Sequence, residues 1–203
     1  MTRPSHNIDL LLFNTGEKLL IEVGFEKFSV RHLCKKAGVN LGMFHYYFKT
    51  KENFIELLFE SLFNKHLECQ KKAAEKHLRA KDKLKAVIYE RAVMTLTNKQ
   101  LITVFFKEIL NRSFDKLLAK HKKEEMRFLI PIIEQCKKDK DIAQNLKIQH
   151  ILPLILPAPN FAVATDLFRV ADIDSDGNIT MEKNADLKAY IDKLADLILR
   201  GLK

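Results

Sequence analysis

The chain has 203 residues, 47% hydrophobic and 30% charged, enough apolar material for one domain or two small ones and too much for a disordered segment. Six glycines and five prolines leave little room for tight turns, so an all-α fold is expected, and a formal charge of +9 suits a polyanionic partner. Three widely spaced cysteines, Cys34, Cys69 and Cys136, without a signal-peptide pattern at the start, lead us to expect a reducing cytoplasm. No apolar run approaches the roughly 20 residues that cross a bilayer, so no membrane partner is expected.

Ile8, Leu11, Leu12, Thr15, Leu19 and Val23 share one face of a first helix that Gly24 ends. Ser29 caps a short second helix with Val30, Leu33, Cys34 and Ala37 turned inward, and Gly38 breaks it. Val39 and Asn40 lead into a third short helix. Thr50 caps a fourth, expected to bury Phe54, Leu57, Leu58 and Leu62. Longer helices are expected near 82–96, 99–111 and 113–138, the last bent at Pro131. Ile148 to Phe168 is helical in pattern but split by Pro153, Pro157 and Pro159. Asp172 to Asn178 reads as a loop, and Leu187, Tyr190, Ile191, Leu194, Leu197 and Ile198 form the stripe of a final helix.

The segment richest in chemistry is Ser29 to Lys51, SVRHLCKKAGVNLGMFHYYFKTK. Two short helices joined by Ala-Gly-Val-Asn make a helix-turn-helix, in which Gly38 permits a left-handed turn and Val39 fills the angle. On the second of them Phe44 and Phe48 belong to the core, and Gly42, His45 and Tyr46 lie on the other side. Lys and Arg outnumber Asp and Glu two to one over residues 1–51.

The run GVNLGMFHYYFKTKENF, with EVGFEKFSVRHLCKKA upstream, resembles the DNA-binding head of the TetR (tetracycline-repressor) family over about residues 8–63. The resemblance implies a three-helix head over 1–50, joined through a fourth helix to a larger helical effector-binding and dimerisation domain over 51–203. It also implies a homodimeric, ligand-responsive repressor on a palindromic operator in bacteria. An activator, or a DNA-binding protein with no effector, is the alternative. DNA contacts are then expected from Ser29, Arg31, Asn40, Leu41, Gly42, Met43, His45, Tyr46, Tyr47 and Lys51. Leu41 stands where many members carry a lysine or other polar residue, which favours a thymine-methyl contact over a guanine contact. Tyr47 is open to a second reading, as part of the core.

Further along, Tyr89, Met94, Phe105, Phe106, Asn111, Phe114, His121, Phe128 and His150 are candidates for lining a pocket for a small apolar or amphipathic effector, although core is the better reading of each by itself. Phe161, Ala164, Phe168, Leu187, Ile191, Leu194 and Ile198 are candidates for the dimer face, with an internal core face as the alternative. Asp172, Asp174, Asp176, Gly177 and Thr180 echo the opening of a calcium loop. Lys183, however, occupies the position of the closing glutamate, so no metal is assigned and ion binding by the loop stays open. No cofactor is expected. With no P-loop, nucleophile elbow, HExxH or CxxC, neither is an enzyme.

Overall fold

A computed structural model of the chain describes residues 6–110, 114–165, 170–173, 179–181 and 186–203. In chain order the elements are α1 (His6–Lys27), α2 (Val30–Ala37), α3 (Leu41–Phe48), α4 (Lys51–Glu75), α5 (Ala80–Thr97), α6 (Lys99–Leu110), α7 (Asp115–Lys138), α8 (Ile148–Ile155) and α9 (Pro157–Ala164). Strands β1 (Val170–Ile173) and β2 (Ile179–Met181) follow, and then α10 (Leu187–Gly201). The chain falls into two compact units, residues 1–65 with 100–121, and residues 66–99 with 122–203. No helix among the described residues is long and apolar enough to cross a membrane.

The first unit is built around phenylalanine. Leu12, Leu19 and Leu20 of α1, Leu33 and Cys34 of α2, Phe44 and Phe48 of α3, and Phe54, Ile55, Leu58 and Phe59 of α4 are all buried together with Phe28, Leu101 and Phe105. Gly16 lets α1 close on α4, because a Cβ there would stand 2.7 Å from the Phe54 ring. The buried stripe of α1 is therefore Leu12, Gly16, Leu19 and Leu20, and Leu11, expected on it, is 44% exposed. Leu57 likewise lies outside the α4 stripe, at the exposed flank of Phe54 and Leu58. In both cases the neighbour one position along takes the core because it lies nearer the centre of the facing helix's groove.

The second unit packs aliphatic residues. Ala80, Leu84, Val87, Ile88 and Ala92 give α5 an i, i+4, i+7, i+8 stripe against Leu129, Ile133 and Cys136 of α7, Ile151 and Ile155 of α8, and Ile191, Ala195 and Leu199 of α10. Lys85 on α5 pairs with Asp196 on α10 at 2.6 Å, and Ala143 N–H donates to the Leu202 carbonyl, fastening the end of α10. Pro131 and Pro153 lie inside helices with their rings on the exposed side. Pro157 opens α9, where its missing N–H costs no helical bond, so the proline-rich segment divides as expected.

Within the helical fold, the stretch from Asp172 read as a loop holds part of a short ladder. β1 and β2 pair antiparallel, with Asp172 opposite Thr180 and Ile173 opposite Ile179. β-branched Val170, Ile173, Ile179 and Thr180 favour extended backbone, and cross-strand pairing outweighs the loop-like composition between them. Asp174, Asp176 and Gly177, central to the calcium-loop reading, lie outside the described residues.

Candidate functional site

Local capping sets the helix-turn-helix. Ser29 takes an extended conformation and its hydroxyl accepts the His32 N–H at 3.2 Å, starting α2. Gly38 ends it at φ 65° and ψ 27°, a left-handed position that a side chain would strain, and Val39 N–H closes the turn on the Cys34 carbonyl at 3.0 Å. Asn40 then caps α3, its Oδ1 accepting the Gly42 N–H at 2.7 Å. Because that oxygen is committed to the cap, the amide NH2 is the group Asn40 can offer to a phosphate or a base edge.

On α3 the two faces divide sharply. Phe44 and Phe48 are rooted in the core, their rings 5.4 and 4.9 Å from that of Phe54. Tyr46 is 77% exposed, and His45 is exposed with Nδ1 2.9 Å from the Lys49 carbonyl, so the ring donates there and offers Nε2 outward. Tyr47 is half-buried and meets Tyr46 edge-on at 5.2 Å, combining a packed ring with a wet edge. Leu41 and Met43 are also half-buried, with Leu41 packed on the core. Ser29, Arg31, Asn40 and Gly42 are exposed.

The corner after α3 is tied by Thr50, expected as a cap, and by Asn53, which sequence reasoning left unassigned. Thr50 Oγ1 accepts the Asn53 N–H at 3.1 Å, and Asn53 Nδ2 donates to the Phe48 carbonyl at 2.8 Å. Thr50 was legible as a cap; Asn53 carries no pattern that marks it. Lys51 is half-buried, with its Nζ donating to the Phe25 carbonyl at 3.0 Å and lying 5.7 Å from the centre of the Phe28 ring. It anchors the start of α4 to the end of α1. Lys36 is drawn back by an ion pair with Glu22, which holds that carboxyl below its usual range.

The described effector candidates are divided between the two units. Phe105 and Phe114 pack in the first unit, where His121 is buried and stacks on Phe63 at 4.7 Å, while Phe106 is exposed there. Tyr89 and Phe128 pack against the core of the second unit, Met94 is half-buried, and His150 is exposed. Asn111 lies outside the described residues. Of the dimer candidates, Ile191 is a correction: it is fully buried in its own unit, because α10 turns that residue with Ala195 and Leu199 toward α5 and α8. Leu194 and Ile198 pack partly on the same core. Phe161 is 63% exposed and Ala164 half-buried. Phe168 lies outside the described residues, and for Leu187 only its place in α10 is described.

A polar group unnoticed in the sequence lies in the second unit. Arg91 on α5 pairs with Glu125 on α7, and Gln70 on α4 places its amide nitrogen 3.2 Å from the His66 ring. The available signal was phase, since Gln70 falls on the face of Ala73 and Ala74, and Arg91 on that of Leu84 and Ile88. Burial, with Arg91 adding repulsion, pushes His66 down to about 4. Its ordinary value is near 6.5, so between those limits the unfolded chain takes up a proton that the native state refuses, and stability falls as pH drops through that window. Urea unfolding should therefore lose roughly 2 to 3 kcal/mol more between pH 7.5 and pH 4.5 in the native sequence than in His66→Gln, where the proton site is gone. Parallel pH curves for the two would remove this account of His66.

Residues 12–58 match the family model described as bacterial regulatory proteins, tetR family. No curated protein matches the chain. Among solved structures, the fold is similar to that of the fatty acid degradation regulator FadR from Bacillus halodurans, with TM-score 0.77 and 17% identity over 99% of each chain. It is also similar to FadR from Bacillus subtilis in complex with stearoyl-CoA, with TM-score 0.76 and 20% identity over 96% of this chain and 99% of that one. The ketosteroid regulator KstR2 of Mycobacterium tuberculosis matches with TM-score 0.68 and 12% identity over 100% and 97%.

Proposed function

From a chain whose head is of the TetR family and whose fold is that of TetR-family transcription regulators, we propose a homodimeric repressor that grips a palindromic operator with α3 and releases it when the larger helical part binds an effector. The functional partition is a head over residues 1–50 and an effector and dimer part over 51–203. The observation that carries the reading is the opposition on α3, where Phe44 and Phe48 are buried and Tyr46 stands out in solvent. A helix rooted in this way presents a rigid edge to a major groove without paying to order itself on binding.

Asn40, Leu41, Gly42 and Met43 open the reading helix, with His45, Tyr46 and Tyr47 toward phosphates and bases. Ser29 and Arg31 meet the adjoining backbone, and Lys51 adds a charge to it. One such helix makes too few base contacts for useful specificity, so two copies are required. Exposed Phe161 with Ala164 on α9, and exposed Leu197 with Leu194 and Ile198 on α10, are the apolar surfaces that a second copy would cover. The effector we propose is apolar or amphipathic, supported by the stearoyl-CoA complex of a protein with the same fold. It acts by binding one dimer geometry better than the other.

Selection of duplexes from a random pool is expected to return a palindrome. On that operator Tyr46→Ala should weaken binding about tenfold, near 1.4 kcal/mol, for a lost phosphate contact in each protomer. Lys51→Ala should also lower the slope of log affinity against log salt by about one per protomer, for the lost phosphate neutralisation. Full affinity in both variants would overturn the assignment of this face.

A further inference from the structure

We propose that Gln70 and Arg91 form the polar end of the effector site, and that they select a neutral group carrying both a hydrogen-bond acceptor and a donor, of the amide class, at the head of an apolar chain. This rests on the reading that the larger helical part binds an effector. Gln70 is 1% exposed, and with its amide nitrogen facing His66 its Oε1 has no hydrogen-bond partner among the described residues. Arg91 commits Nη1 to Glu125, and its buried Nε–H is likewise without a partner. Buried polar groups are nearly always satisfied, and two unsatisfied ones, on residues that each act on His66, mark a place where a ligand's own polar atoms are wanted. Nε–H asks for an acceptor and Oε1 for a donor.

The charge of the group asked for follows from the neighbours. Glu125 already balances Arg91, and the His66 ring, accepting from the Gln70 amide, is neutral. An anionic head would set a second negative charge beside Glu125, and a cationic head would repeat the charge of Arg91. Either would be buried without compensation, so a neutral head is favoured. The same helices carry partly buried Tyr89 on α5 and Met126, Phe128 and Ile132 on α7, side chains suited to meet hydrocarbon.

Calorimetry on the full-length protein with three probes tests this: decanamide, decanoate at pH 8, and decyltrimethylammonium. Decanamide is expected to bind at least tenfold more tightly than either ion. Gln70→Leu and Arg91→Lys, the second keeping the charge beside Glu125 while removing Nε, should each cut decanamide affinity at least tenfold and leave the ions unchanged. Gln70→Leu should also raise the Tm of the unliganded protein, since it deletes an unsatisfied buried atom. Three equal affinities overturn the proposal, as does a full-strength amide complex in both variants. Failure of every probe to bind, with a lowered Tm in Gln70→Leu, would assign the cluster to a structural water only and overturn it as well. Release of the selected operator is read in parallel: binding without release upholds the site and removes its coupling to DNA, whereas release by other molecules with no probe bound removes the site and leaves the regulator.

Discussion

Phe54→Ala is expected to destabilise the DNA-binding unit by about 3 to 5 kcal/mol, the cost of emptying a fully enclosed aromatic position. The Phe54 ring is fully buried, and the rings of Phe13, Phe28, Phe44 and Phe48 surround it with centres 5.6, 6.0, 5.4 and 4.9 Å away. Gly16 exists at its position to admit that ring. The void would sit directly behind α3, so the inner phenylalanines lose their support and the exposed Tyr46 loses its fixed direction. Operator affinity should fall with stability although no exposed residue of α3 has changed. Phe54→Leu, which refills much of the volume, should recover more than half of the loss. Denaturant unfolding followed by tyrosine fluorescence and far-ultraviolet dichroism measures it; an unchanged midpoint in Phe54→Ala would contradict the packing described.

Arg91→Met is expected to cost a comparable amount in the other unit, about 3 to 5 kcal/mol, because it strands the carboxylate of Glu125 where its side chain is only 19% exposed. The pair as a whole is a different matter. Arg91→Met combined with Glu125→Leu should stand within about 1 kcal/mol of the native protein or above it, since desolvating two charges offsets most of what their attraction returns. A double-mutant cycle by urea unfolding reads the coupling directly, and two single variants whose effects simply add would show that the pair contributes nothing. A costly pair, and an unsatisfied glutamine in the same unit, are what the proposed recognition site would hold at the expense of stability.

The sequence by itself determined whatever depends on neighbours within one turn of chain. Ser29, Gly38, Asn40 and Thr50 bound their helices through bonds that span two to four residues, and these were legible from residue type alone. The inward pair Phe44 and Phe48 followed from helical period, and so did the face that carries Tyr46. Tertiary structure alone decided the rest. Leu11 and Leu57 lost the core to the residues beside them, Ile191 went into its own unit, and Lys51 found the Phe25 carbonyl 26 residues upstream. Asp172 and Thr180 met across a ladder where composition suggested only a loop. Gln70 and His66 meet within α4, four residues apart, but Arg91 of α5 finds Glu125 on α7, 34 residues away. Period and capping are properties of a single helix, whereas the side of a stripe that is finally covered, and the charge that meets a charge, depend on how another helix arrives. That arrival is set by the summed packing of distant residues, which no local pattern encodes.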